Sequence, residues 1–152
     1  MKRKSSNKGF TLVEMIVVIA IAAIMFGLAA ISMNIVTNSN VRAAAKRMQS
    51  TLKTARMRAM AKGQDAGTVT ITNENGAIYA TIGTDADAEK KLICYSNVTY
   101  TGPTSIVFNT NGSVNTGADP TVTEYTLTFQ RATRLYEVKV YRETGAIISK
   151  LL

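Results

Sequence analysis

Lys8-Gly9-Phe10-Thr11-Leu12-Val13-Glu14 is the stretch on which the reading of this chain turns. Directly after it, Met15 to Met33 runs for 19 residues without a charge. At about 1.5 Å rise per residue, a helix of that length is roughly 28 Å long, close to the hydrocarbon core of a bilayer. Lys2, Arg3, Lys4 and Lys8 precede it without an acid. Cations on that side hold the N-terminus in the cytoplasm. The expectation is a single-pass anchor in the cytoplasmic membrane, with the C-terminal part of the chain outside.

A secretory signal peptide has a shorter apolar segment and a small-residue cleavage site after it. Here the segment is long, and Ser32-Met33-Asn34 makes a poor site of that kind. A plain membrane anchor accounts for the length but not for Glu14. A carboxylate at the centre of a membrane helix costs roughly 2.5–3.5 kcal/mol, so an acid in an apolar helix calls for a partner. Glu14 is about 6 Å along the axis from Phe10, near enough to the interface for partial relief, and the plain-anchor reading stays open on these grounds.

Gly9-Phe10-Thr11-Leu12-Val13-Glu14 resembles the class III signal of type IV pilins and pseudopilins. It has the basic leader, the glycine at the cut, the phenylalanine that follows and the glutamate five residues into the mature chain. The resemblance implies that a prepilin peptidase cuts between Gly9 and Phe10 and that the new Phe10 amine is N-methylated. It also implies that Glu14 pairs with the N-terminal amine of a neighbouring pilin or pseudopilin subunit. That pair supplies the partner the buried acid requires, and at low dielectric it favours one register between subunits. An inner-membrane assembly platform, membrane lipid and an extracytoplasmic filament follow from the same likeness. Pilins often carry proline at the position of Ile31, so a proline kink is not expected here.

The net charge of +8 misleads about partners. Four cations belong to the leader, leaving 14 basic against 10 acidic residues from Phe10 onward. Seven of the 14 lie between Arg42 and Lys62, which contains no acid. Cys94 is the sole cysteine, so an intramolecular disulfide and a cysteine-based zinc cluster are excluded, and a small buried core role is expected for it. Histidine is absent, which removes the commonest general base and metal ligand. With no glycine-rich phosphate loop and no metal-spaced ligand set, no catalytic residue, metal or cofactor is expected. Asp85, Asp87 and Glu89 alternate but lack the spacing of a calcium loop, and Lys90 and Lys91 offset them; a solvated loop over 84–91 is expected.

The organisation expected is a leader over 1–9, a transmembrane and filament-core helix over 10–36, a basic amphipathic helix over 37–63 and a globular antiparallel β domain over 64–152. Thr37-Asn38-Ser39-Asn40 is a weak spot in an otherwise continuous helix. Val41, Ala45, Met48, Leu52, Ala55 and Ala59 recur at spacings of four and three, one apolar stripe. Gly63 is placed to end the helix. Arg42, Lys46 and Lys53 fall on one flank; Arg47, Arg58 and Lys62 fall on the other; Arg56 borders the stripe. Opposite the stripe, Ala43, Ser50, Thr54, Met57 and Ala61 form a small, weakly polar back face, suited to neighbouring subunits. It is also open to the plainer reading that alanine is there as a helix former.

Beyond Gly63 the pattern turns to period two. Strands are expected at 68–72 and 77–82 around the Asn75-Gly76 turn, and at 91–95, 97–101, 105–109, 124–130, 135–142 and 146–150. A long helix followed by an antiparallel sheet is α+β, the type IV pilin fold. In detail the chain resembles GspH/FimT-type minor pilins. The residues that carry this are Leu52 to Ala61, Ser105-Ile106-Val107-Phe108-Asn109 with Asn111-Gly112, and Val138-Lys139-Val140 followed by Thr144-Gly145. The function expected is a structural subunit of a type IV pilus, type II secretion or competence filament. The alternative is a DNA-binding minor pilin for uptake, with Arg42, Lys46 and Lys53 as phosphate contacts. It is not favoured, because the helix face should be partly covered and Arg142 to Ile147 holds an acid and no arginine cluster.

Overall fold

The computed structural model describes residues 10–84, 86–95, 97–117, 119 and 121–152, with the side chains of 28–38 outside that description. Helix α1 runs over Leu12–Lys62. The chain divides into two compact units, Met1–Val36 and Thr37–Leu152.

In the first unit, the described side chains of α1 are exposed on every side, from Leu12 at 76% through Ile19 at 67% to Phe26 at 78%. A helix that is apolar all round requires a covering of lipid or protein. Among the described residues no helix is long and apolar enough to cross a membrane. The expected span Met15–Met33 passes into positions 28–38, so only its first 13 residues fall within the described side chains. The backbone is helical through Ile31. The leader 1–9 lies outside the described residues.

The second unit is built on the C-terminal part of α1. Val41, Ala45, Met48, Leu52, Ala55 and Ala59 are buried as the spacing predicts, and Ala44 and Thr51 join them. Thr51 is accommodated because its hydroxyl donates to Arg47 O at 2.9 Å. Gly63, at φ +104°, ends the helix, its N–H donating to Ala59 O at 3.0 Å. A 3-10 turn, Asp65–Gly67, leads into the strands. Gly67 lies so close to Ala59 that a Cβ would collide with it, so two small residues set the approach of chain to helix.

Nine strands follow: β1 Thr68–Glu74, β2 Ala77–Ile82, β3 Glu89–Cys94, β4 Thr99–Thr101, β5 Ser105–Phe108, β6 Val114–Asn115, β7 Glu124–Arg131, β8 Arg134–Tyr141 and β9 Ile147–Leu151. They form two antiparallel sheets, ordered β3-β2-β1-β5-β6 and β4-β7-β8-β9, where one sheet was expected. The split arises from non-local pairing. β5 joins β1 with Val69 opposite Ile106, and β4 crosses to β7 with Tyr100 opposite Phe129. The sheets meet where Val114 N–H donates to Arg142 O at 2.8 Å. β1 and β2 turn at Asn75 and Gly76, with φ +51° and +83°, the left-handed pair a tight hairpin needs.

One core joins the helix stripe to both sheets. Val69, Ile82, Ile106 and Phe108 come from the first sheet; Leu127, Phe129, Val138 and Val140 come from the second. Each such side chain contributes roughly 1.5–3 kcal/mol by leaving water. Tyr125 and Tyr136 pack on its margin, as their alternation with Leu127 and Val138 predicts. Cys94 is buried and free, its thiol pushed up by that burial. The charged loop is shorter than expected: Glu89, Lys90 and Lys91 belong to β3, an edge strand whose charges conceal its period.

Candidate processing and assembly site

The described part of the N-terminal motif begins at Phe10, which is 75% exposed and precedes the helix. Thr11 is the residue before Leu12, and its Oγ1 accepts the Glu14 backbone N–H at 3.2 Å. Its carbonyl accepts Met15 N–H at 3.2 Å. Thr11 therefore caps α1, with Glu14 at the third helical position, the Thr-x-x-Glu spacing of a capping box. Glu14 stands in the first turn, where a negative charge meets the positive end of the helix dipole. Its carboxylate is exposed and has no partner among the described residues. Gly9 lies outside the described residues. Sequence reading singled out Phe10 and Glu14 but missed Thr11; its signal was there in the threonine three residues before the acid.

The cations of the second unit sort into two kinds. On one flank Arg58 Nη2 meets Glu89 Oε2 at 2.5 Å, Arg47 Nη1 reaches Ile93 O at 3.5 Å, and Lys62 stands 3.9 Å from Asp87. These side chains tie α1 to β3 and to the loop before it. Arg42, Lys46 and Lys53, on the other flank, are exposed and have no partner among the described residues. Arg56 belongs to neither set: its Nε donates to Gly112 O at 2.9 Å and its Nη2 to Thr144 O at 2.8 Å. Spacing alone made the two flanks equivalent. Which of them is engaged depends on where β3 comes to lie.

Of the alternating acids, Asp87 and Glu89 face cations. Glu89 also meets Lys91 at 3.1 Å. Lys90 instead meets Glu74 at 2.6 Å and stands 4.6 Å above the Tyr79 ring. Asp85 lies outside the described residues, and among the described residues no group of acids, cysteine or histidine is placed to hold a metal. On the back face Met57 is exposed at 63%, and Met60 is exposed at 55%.

Residues 4–30 match the family model for the prokaryotic N-terminal methylation motif. The match covers Lys4 and Lys8 of the leader, Gly9, Phe10, Glu14 and most of the uncharged run. It supports a type IV prepilin signal and, with the α+β fold of a helix packed on antiparallel sheets, a type IV pilin-like protein. Neither a curated protein nor a solved structure matches the chain.

Proposed function

We propose that this chain is a minor pilin or pseudopilin, a structural subunit of a type IV pilus, type II secretion or competence filament, and not an enzyme. The observation that carries the reading is the N-terminal part of α1, apolar on every described side and carrying a single acid in its first turn. Prepilin peptidase cuts between Gly9 and Phe10, and the Phe10 amine is methylated. The helix over 10–36 holds the subunit in the cytoplasmic membrane, N-terminus inside, until the assembly platform moves it into the filament. Neighbouring helices then replace lipid around the apolar surface, and Glu14 pairs with the Phe10 amine of an adjacent subunit. The GspH/FimT-type assignment is supported by Arg56, Gly112 and Thr144, which come from three separate stretches of that likeness and meet in one place.

The test is incorporation of Glu14→Ala. Cleavage and the fold of the second unit should be retained, and entry into sheared filaments should fall steeply. Entry equal to wild type would remove Glu14 from assembly. DNA binding is a second reading, favoured only by Arg42, Lys46 and Lys53, which have no partner among the described residues.

A further inference from the structure

The C-terminal end of the second unit is held in a different way from the rest of its sheet. β7 and β8 are anchored by Leu127, Phe129, Val138 and Val140, all fully buried. After Tyr141 the buried residues are Gly145 and Ile147 alone among those described, while Ile148, Leu151 and Leu152 are exposed. β9 is an edge strand, paired to β8 on one side. Hydrophobic burial therefore does little to hold it.

Polar side chains of α1 take over that task. Arg56 Nη2 donates to Thr144 O at 2.8 Å. Gln49 Nε2 donates to Ile147 O at 3.1 Å, and its Oε1 accepts Ser149 Oγ–H at 3.1 Å. Gln49 and Arg56 are seven residues apart, two helical turns or about 10.5 Å along one flank. Arg56 also holds Gly112 O, at 2.9 Å. Gly112 and Gly145 both have positive φ, and a Cβ on Gly145 would strike Gly112 O and the Arg56 guanidinium. The turn fits under Arg56 only because both positions are glycine.

We infer that residues 142–152 form a strap, latched to α1 by Arg56 and Gln49, that opens as a unit below global unfolding and uncovers the outer edge of β8. Opening breaks the β8–β9 ladder, from Tyr136 opposite Leu151 to Val140 opposite Ile147, with Leu152 N–H to Leu135 O, Tyr141 N–H to Ala146 O and the Arg142 backbone bonds to Thr123 and Val114, while Ile147 is the one large apolar side chain of the strap that leaves the core. Low apolar burial joined to partly exposed hydrogen bonds is the condition for local opening. The charge-assisted bonds from Arg56 are the strongest part of the latch.

Hydrogen exchange on the full chain in detergent tests this. Amides of 146–152 should exchange at least about tenfold faster than those of β7. Arg56→Gln should speed exchange over 142–152 by about a further tenfold and leave β1, β2 and residues 45–55 unchanged. Gln49→Ala should act in the same direction on 147–152 only, and it decides the matter if Arg56→Gln does not fold. β9 exchanging in step with β7 in the wild-type chain would overturn the strap. So would acceleration spread evenly over the second unit in Gln49→Ala, or no acceleration at all.

Discussion

Thr11 Oγ1 accepts the backbone N–H of Glu14 at 3.2 Å, so the cap of α1 uses the main chain of Glu14 and not its carboxylate. The two can therefore be separated by substitution. Thr11→Val removes the cap at a cost of roughly 0.5–2 kcal/mol to the helix end, and keeps the acid. Glu14→Ala does the reverse. In immunoblots of sheared filaments, Thr11→Val should retain most of the wild-type signal, and Glu14→Ala should lose most of it. Equal losses would place the contribution of this turn in helix capping.

Gly117 and Gly145 have nearly the same φ, +63° and +60°, but different surroundings. Nothing lies within 4 Å of a Cβ added at Gly117, whereas one added at Gly145 meets Gly112 O and Arg56. Gly117→Ala should cost only the left-handed penalty, roughly 1–2 kcal/mol. Gly145→Ala should cost more, with lost Arg56 contacts added to the same penalty. Thermal melts of the two variants side by side read the difference.

Stability should respond to acid through three carboxyls. Glu74 is held below its ordinary value by the Lys90 hydrogen bond, Glu89 by Lys91 and then Arg58, and Asp119 by Thr121. Their folded values lie below the unfolded ones, so their stabilisation is present above about pH 4 and is lost as pH falls through the folded values. Lys139 has the opposite sign. Its hydrogen bond to Glu124 raises it, so its contribution is present below about pH 10 and is lost above. Melting temperature should be level from pH 7 to about 5 and then decline, less steeply in Glu89→Gln. All these groups are solvent-accessible, so the effect should be small and reduced by salt.

Charge reversal at Arg42, Lys46 and Lys53 should leave the circular dichroism spectrum unchanged, because these side chains have no partner among the described residues. Wild-type binding to duplex DNA should be weak, sequence-blind and salt-sensitive, with Kd on the order of 10⁻⁴–10⁻⁶ M at physiological salt, and the reversal should abolish it. A Kd well below micromolar, lost on reversing Lys90, Lys91, Arg131 and Arg134 instead, would favour a DNA-binding role for the sheets.

Local periodicity made much of this fold legible. The stripe from Val41 to Ala59, the stop at Gly63, the Asn75-Gly76 hairpin and the alternating faces of β7 and β8 all follow from patterns within a few residues. Pairings between distant segments were not legible. Nothing in Thr99 to Thr101 announces β7 as its partner, and β6, at two residues, is too short to have a period. Arg56 was visible only as a border residue, since its partners are carbonyl oxygens, which every residue possesses. The processing motif was the most legible part, because residues 8–14 carry it in unbroken order.

If this chain is a prepilin-type subunit, its mature N-terminus carries the mark of processing. The chain should be extracted from the membranes of a strain that demonstrably processes another prepilin, and its N-terminal fragment weighed. The wild-type chain should lack residues 1–9 and begin with N-methylated Phe10, and Gly9→Val should remain uncut. An intact Met1 terminus on the wild-type protein in that strain would contradict the prepilin reading.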